Sequence, residues 1–161
     1  MARTEDRQEW IAVGSNCKHD CLDLSFPATQ ARASDGIATL SARLAAHGLP
    51  ESKADDVKIA LAEAINNVVE HAYAGIAPAE VQIDCCLCKD KLEIRITDTG
   101  SPMPDMRLPG GAPAPVDTRL QDLPEGGFGW HLIRQLASDI RYERRDDGNL
   151  LWLQFDFNEL P

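Results

Sequence analysis

The sequence predicts an α+β protein, a two-layer α/β sandwich in which helices cover one face of a mixed, mostly antiparallel sheet. Strand-like alternation of apolar and polar residues occurs in 21–27, 80–97 and 140–157. The spacing of amphipathic helices occurs in 29–73 and 127–138. The resulting order is strand, two helices, two strands, a loop, one helix and two strands, and this order is typical of such a sandwich.

The first strand and helix have clear boundary signals. Residues 21–27 alternate with period two and end at Pro27, and a helix is predicted from about Thr29. Gly48 followed by Pro50 predicts where that helix stops. The apolar face of the strand consists of Leu22, Leu24 and Phe26, and that of the helix of Ile37, Leu40 and Leu44.

The second helix is predicted to begin at Ser52 and to run to about Tyr73. Ser52 with Asp55 three positions later resembles a capping box, in which each side chain satisfies a backbone N–H of the first turn. The segment is rich in apolar residues and lacks internal glycine and proline.

Two hairpins and a long loop make up the rest of the chain. Residues 80–88 and 91–97 alternate around a polar turn, and DDGN separates the last two strands. Between the hairpins, residues 99–126 contain six prolines, which predicts a long loop of the kind that serves as a lid or binding segment. A helix follows the glycines that end this loop, with its predicted inward face formed by Trp130, Ile133, Leu136 and Ala137.

The length of 161 residues is that of one domain. Residues 1–20 have weak patterning and are taken as an N-terminal extension, in which 10–13 can add a short strand or remain mobile. Residues 21–161 are taken as the domain, with 99–126 as its lid. Nothing in the pattern marks an interdomain linker.

Charge and the N-terminus exclude some classes of partner. The formal net charge is -10, and such a field repels nucleic acid phosphates and anionic lipid head groups, so we expect no direct nucleic acid or membrane binding. The N-terminal segment mixes charges of both signs and lacks an apolar signal region. We therefore expect a cytoplasmic protein.

The five cysteines do not form a recognisable framework. Cys85 and Cys86 are adjacent, and Cys88 lies on the same predicted strand, which suits neither paired disulfides nor the usual zinc spacings. We expect reduced thiols that pack as small apolar groups, with a metal site or a redox switch as the alternative.

A polar stripe runs along the second helix. Glu63, Asn67 and His71 are four residues apart, so on a regular α-helix they form one line within apolar surroundings. An amide oxygen here can bind Mg²⁺, an ion that takes few protein ligands beside phosphate and water, and Glu63 is then a candidate base. Alternatively, the stripe lines the solvent face and makes only weak contacts between neighbouring turns.

Two further short motifs lie at the ends of predicted elements. Asp98-Thr99-Gly100 ends a strand, where a carboxylate can accept a hydrogen bond from an exocyclic amine and a glycine allows close approach to a ring. Residues 126–129, GGFG, open a helix, and backbone N–H groups there can hold phosphate oxygens. Each motif alone is also ordinary turn or capping chemistry.

Taken in order, ExxxNxxxHxY on a helix, DxG after a strand and GxG after a lid resemble the N box and the two glycine boxes of the GHKL ATPases. This group includes gyrase, Hsp-type chaperones and histidine kinases, and the chain is most similar to its anti-sigma-factor serine kinases. The resemblance covers roughly residues 21–157 and includes GGFGWHLIRQLASDIRY. It implies the Bergerat ATP-binding fold, with three helices on one face of the sheet.

The resemblance also implies roles for particular residues. Glu63 is implied as the general base, Asn67 as the Mg²⁺ ligand and Asp98 as the residue that reads the adenine amine. Gly100 is implied to approach the base, while Gly127 and Gly129 admit the phosphates of ATP. The same motifs place three more residues among the candidate nucleotide-binding residues: His71, Gly126 and Phe128.

The implied activity is phosphorylation of a serine on a small antagonist protein (an anti-anti-sigma protein) by a kinase that also binds a sigma factor and can form a homodimer. Some relatives have a basic residue just before the glycines of the second glycine box, whereas this chain has Glu125. The rival hypothesis is therefore a non-catalytic Bergerat-fold binding module that uses ATP as a structural ligand or binds none. Arg107 or Arg119 in the lid can supply the missing positive charge, or each is a solvated loop residue.

Overall fold

The computed structural model of the chain describes residues 20–109 and 127–157, which form a five-stranded sheet and three α-helices. The N-terminal extension, most of the lid, Glu125 and Gly126 lie outside the described residues. The strands are β1 Asp20–Pro27, β2 Glu80–Leu87, β3 Lys91–Asp98, β4 Asp139–Arg145 and β5 Gly148–Asp156. The helices are α1 Gln30–Ala46, α2 Glu51–Asn67 and α3 Gly127–Leu136, with a π-helical turn at Val68–Ala72 and a 3₁₀ turn at Pro104–Met106.

The sheet order is β1-β2-β3-β5-β4. All its pairings are antiparallel, so the described strands form a purely antiparallel sheet rather than the mixed one expected. Helix α1 packs on β1, α2 packs on α1, and α3 packs on α2. The predicted α+β sandwich is confirmed, with its three helices in one layer.

The core lies between the helices and one face of the sheet. Because side chains alternate along a strand, every second residue of each central strand enters this core. Leu22 and Phe26 of the predicted apolar face of β1 are buried, as are Trp130 and Ile133 of α3, and Leu151, Leu153 and Phe155 of β5 lie in the same core. The fully buried side chains include Leu40, Leu44, Leu61, Ile65, Ile83, Ile94 and Leu153.

The ends of α1 are as predicted, whereas the start of α2 is not. The Thr29 hydroxyl accepts a hydrogen bond from the Arg32 N–H, and Gly48 at φ +100° ends the helix. The predicted capping box of Ser52 and Asp55 is wrong, because α2 begins at Glu51 and no side chain caps it. Its N-cap residue is Pro50, so Ser52 lies inside the first turn, past the position from which a hydroxyl caps a helix.

Both predicted hairpins are confirmed. The Cys88 N–H donates to the Lys91 carbonyl across the first turn, at 2.8 Å. In the described part of the lid, residues 101–109, the chain is irregular apart from the 3₁₀ turn. Within the two described ranges, no helix has both the length and the apolar character needed to span a membrane.

Candidate functional site

Glu63 and Asn67 lie one turn apart on α2, and both side chains are half-buried. The amide nitrogen of Asn67 is buried and has no hydrogen-bond partner among the described residues. A buried amide without a partner costs about 1–3 kcal/mol, so such a group points to a ligand. A half turn about the last side-chain bond exchanges the amide oxygen with this nitrogen, which lets the same position offer an acceptor to a cation.

The polar stripe does not continue at α-helical spacing beyond Asn67. The backbone widens into a π-helical turn, in which the Tyr73 N–H donates to the Val68 carbonyl at 3.2 Å. A π turn takes an extra residue, so His71 does not lie directly above Asn67, and its side chain is exposed. The predicted single line therefore holds for Glu63 and Asn67 and breaks before His71. The role of His71 in nucleotide binding stays a prediction.

Asp98 ends β3 and is one of two buried polar residues of the described chain. Its carboxylate accepts hydrogen bonds from the Gly100 N–H and from the Asn149 amide, each at 2.8 Å. Both of these hydrogen bonds are accepted by Oδ1. Burial raises the pKa of the Asp98 carboxyl above its usual range, while the hydrogen bonds from Asn149 and Gly100 act in the opposite direction.

The loop after Asp98 is fixed to the end of the helix that carries the stripe. A Cβ on Gly100 would lie 2.5 Å from the Ala72 carbonyl oxygen, so only glycine fits there. The Ser101 N–H donates to that same oxygen at 2.7 Å, and the Tyr73 hydroxyl accepts from the Thr99 N–H at 3.0 Å. Gly100 thus packs against the protein's own backbone at Ala72. A close approach of Gly100 to a bound ring stays a prediction.

The amino end of α3 reaches the stripe from the other side. A Cβ on Gly129 would lie 2.6 Å from Oε2 of Glu63 and 3.9 Å from Nδ2 of Asn67. Gly129 therefore leaves the space that the Glu63 carboxylate occupies, whereas the Asn67 amide lies at an ordinary contact distance. Gly127 and Phe128 form the first residues of the same helix.

The geometry thus joins the three motifs. The Glu63–Asn67 segment contacts Gly129 directly, and the DxG loop contacts the π-helical turn that extends the same helix. Across the two described ranges, no cluster of three or more His, Cys, Asp or Glu is arranged to hold a metal ion. Mg²⁺ that is bound mainly by phosphates and water takes only one or two ligands from the protein, so it does not need such a cluster.

Asn149 is not among the site residues predicted from the sequence. It is buried at the start of β5, directly opposite Asp98 in the register, and its amide donates to Asp98 Oδ1 and to the Ser101 carbonyl. Its oxygen accepts from the Tyr142 hydroxyl at 2.6 Å and from the Arg144 guanidinium at 3.1 Å. Asn149 therefore orients the Asp98 carboxylate and fixes the start of the lid.

A signal for this residue was present. Asn149 has the same parity along its strand as the core residues Leu151 and Leu153, as Asp98 has with Ile94 and Ile96. A polar residue at the end of a core-facing alternation on each of two strands indicates a buried polar pair. The DDGN motif predicts a turn, and its asparagine is also the first core-facing residue of β5.

Comparison with known proteins gives a consistent result. The sequence profile of the histidine kinase-like ATPase domain matches residues 26–155. The chain is 32% identical over 124 residues to the serine-protein kinase RsbW of Listeria monocytogenes, which covers 76% of this chain and 79% of that protein. It is 29% identical over 125 residues to the serine-protein kinase RsbW of Bacillus subtilis, covering 77% and 78% of the two chains.

Two solved structures share the fold. The SiaB–SiaC complex of Pseudomonas aeruginosa matches with a TM-score of 0.61 and 15% identity, over 96% of this chain and 98% of that one. The RsbU and RsbW domains of Rv1364c from Mycobacterium tuberculosis match with a TM-score of 0.60 and 20% identity, over 85% of this chain and 32% of that one. The GHKL resemblance read from the motifs is confirmed, and the chain belongs to the histidine kinase-like ATPase domain family.

Proposed function

We propose that this protein is an ATP-dependent serine/threonine protein kinase that acts as an anti-sigma factor. In this proposal it phosphorylates a serine on a small antagonist protein and binds a sigma factor. The support from relatives is that two serine-protein kinases are about 30% identical to this chain over more than three quarters of their own length. The support from geometry is that the three motifs meet along one helical segment, with Gly129 beside Glu63 and the DxG loop beside the π-helical turn that follows Asn67.

The observation that carries the proposal is the partnerless amide of Asn67 beside the close contact of Glu63 with Gly129. A structural polar stripe would satisfy its own buried amide, because leaving it unpaired lowers stability. A site for a bound metal and phosphate leaves that amide open for the ligand. The residues present therefore fit Mg-ATP.

Each part of the site has a task in this proposal. Asn67 holds Mg²⁺ through its side-chain oxygen, and Asp98 accepts a hydrogen bond from the adenine amine through Oδ2. The backbone N–H groups at the amino end of α3, around Gly127 and Gly129, bind phosphate oxygens with the help of the helix dipole. Gly126, Phe128 and His71 complete the proposed nucleotide-binding set, and residues 99–126 form its lid.

Glu63 provides the acid–base function. When bound, Mg-ATP supplies the phosphoryl group and neutralises the charge that develops on it. Glu63 orients the serine hydroxyl of the protein substrate and accepts its proton. Gly129 matters here because its missing side chain leaves the space that the Glu63 carboxylate occupies.

A phosphorylation assay tests the proposal. The full chain is incubated with labelled Mg-ATP and a candidate antagonist protein, and phosphoserine is located by mass spectrometry. Glu63→Gln is expected to lower the phosphorylation rate by about 10²–10⁴-fold with ATP affinity nearly unchanged. The matched control is Glu70→Gln, which removes an exposed carboxylate on the same stretch of backbone. Equal rates for Glu63→Gln and wild type would contradict the assignment.

The second candidate is a regulatory binding module that uses ATP as a structural ligand or does not bind it. Glu125 favours this candidate, because an acidic side chain next to the glycines repels the phosphates that they would hold. Thermal unfolding with and without Mg-ATP separates nucleotide binding from its absence. Stabilisation by Mg-ATP without any phosphoserine on the antagonist would support the module that binds ATP structurally.

A further inference from the structure

Two cysteines face each other across the first two strands, on the side of the sheet away from the helices. Cys21 of β1 is directly opposite Cys86 of β2 in the antiparallel register. Their strand neighbours Leu22 and Cys85 belong to the hydrophobic core, so Cys21 and Cys86 point to the other face. All of these thiols are free in the structure.

From this arrangement we propose that Cys21 and Cys86 form a redox modification site, at which a hydroperoxide oxidises the two thiols to a cross-strand disulfide. This site goes beyond the proposed kinase function and does not depend on it. Opposed residues in antiparallel strands have Cα atoms about 4.5–5.5 Å apart, and disulfides need about 4.4–6.8 Å. The register therefore meets the main geometric requirement without any movement of the backbone.

The two thiols are already in contact. Burial raises the pKa of the Cys86 thiol well above its usual range, and a hydrogen bond with the Cys21 thiol acts in the same direction. Cys21 is exposed, whereas Cys86 is only 7% exposed. An oxidant from solvent therefore reaches Cys21 first, and Cys86 lies next to Cys21 as the resolving thiol.

The chemistry proceeds in two balanced steps. In the first, the Cys21 sulfur attacks one oxygen of the hydroperoxide, the O–O bond breaks, and Cys21 becomes a sulfenic acid while one molecule of water (or alcohol) leaves. In the second, the Cys86 sulfur attacks the Cys21 sulfur, the S–O bond breaks, and the Cys86 proton leaves with the hydroxyl as water. Two thiols are oxidised by two electrons, and one hydroperoxide is reduced.

The neighbouring cysteines are less suited to the reaction. Cys85 lies in the core with 1% exposure, and burial raises the pKa of its thiol to about 12. Cys88 lies two residues after Cys86 on the same chain, where Cα atoms are about 6.6 Å apart, at the upper limit for a disulfide. The directly opposed pair is therefore the favoured one.

A Cys21–Cys86 bond would close a loop of about 65 residues that contains α1 and all of α2. Closing a loop of this size restricts the unfolded chain, so the oxidised protein is expected to melt roughly 10 °C higher. The bond lies on the sheet face opposite the helices that carry Glu63 and Asn67. ATP affinity is therefore expected to stay within about twofold of that of the reduced protein.

The experiment treats the full chain with hydrogen peroxide, blocks the remaining thiols under denaturing conditions, and digests with trypsin. Mass spectrometry is expected to find the peptide 19–32 joined to the peptide 59–89 with a loss of two hydrogens, and Cys17 lies outside both peptides. The variants Cys21→Ser and Cys86→Ser should each lose this link and the rise in melting temperature. Cys88→Ser, the matched control, should keep both, and a thiol reductant should reverse them.

Three results would overturn the proposal. One is a link that survives in Cys86→Ser, which would assign the partner of Cys21 to another thiol. Another is a link that disappears in Cys88→Ser, which would show that Cys88 takes part in the reaction. The third is oxidation of Cys21 to its sulfinic acid in the wild-type protein without any link, which would show that Cys86 does not act as a resolving thiol.

Discussion

Replacement of Gly129 by alanine is expected to separate catalysis from stability. The new Cβ would lie 2.6 Å from Oε2 of Glu63, whereas ordinary contacts of such carbons begin near 3.4 Å. The Glu63 carboxylate must therefore move by about 0.8 Å, and it can do so because it is the free end of a flexible side chain. A misplacement of about 1 Å lowers rates by about 10²-fold, which corresponds to about 2.7 kcal/mol in the activation free energy.

The same substitution is expected to have little effect on the stability of the fold. The backbone of Gly129 is not in the left-handed region, and alanine is a better helix residue by about 1 kcal/mol. Displacing the Glu63 side chain from its preferred rotamer costs about 0.5–1.5 kcal/mol, so the two effects nearly cancel. The melting temperature is therefore expected to stay within about 4 °C of wild type.

The assay measures phosphorylation rates at saturating ATP and ATP affinity by calorimetry, for Gly129→Ala in the wild-type and Glu63→Gln backgrounds. The rate should fall about 10²-fold in the first background and little further in the second, because the effect acts through Glu63. If only ATP affinity changed and the saturated rate stayed within threefold of wild type, the reasoning about Glu63 would be refuted. Gly129 would then serve the phosphates alone.

Three further predictions concern the Asp98 end of the site. Asn149→Ala leaves buried partners unsatisfied, so urea unfolding should show a free energy of unfolding lower by about 2–4 kcal/mol. The affinity for adenosine should fall, whereas the affinity for inorganic triphosphate should stay unchanged. Equal losses of the two affinities would contradict the assigned role. The pKa of the Asp98 carboxyl is raised in the folded protein, so at pH values above that pKa the ionised carboxylate lowers the free energy of unfolding. This loss of stability disappears as the pH falls through the raised pKa. Asp98→Asn should therefore stabilise the protein at pH 7, by a margin that shrinks on acidification, and should weaken ATP binding in calorimetry; a margin independent of pH would refute this. Tyr73→Phe removes the acceptor of the Thr99 N–H and should lower the unfolding free energy by about 1 kcal/mol, measured in urea, and an unchanged midpoint would count against this contact.

Most of the fold could be predicted from local sequence patterns. Strand periodicity with polar turns located both hairpins, because alternation and turn chemistry are properties of neighbouring residues. The glycine stop at Gly48 was predictable for the same reason. The start of α2 was not, because Pro50 takes the N-cap position and Ser52 lies two positions past it.

The site was predictable where its residues share one helix. Glu63 and Asn67 could be placed together from their spacing alone. The π turn after Asn67 could not, because residues 68–72 suit an α-helix equally well. The pairing of Asp98 with Asn149 depends on the register between β3 and β5, and the tight approach of Gly100 to Ala72 depends on helix packing. Neither contact is local in sequence.

The most direct measurement of the central claim is a crystal structure of the chain with Mg²⁺ and a non-hydrolysable ATP analogue. The account predicts the metal on the Asn67 side-chain oxygen, the adenine amine within hydrogen-bond distance of Asp98 Oδ2, and the phosphates at the amino end of α3. A nucleotide bound elsewhere, with the Asn67 amide still partnerless and Gly129 in contact only with Glu63, would contradict it.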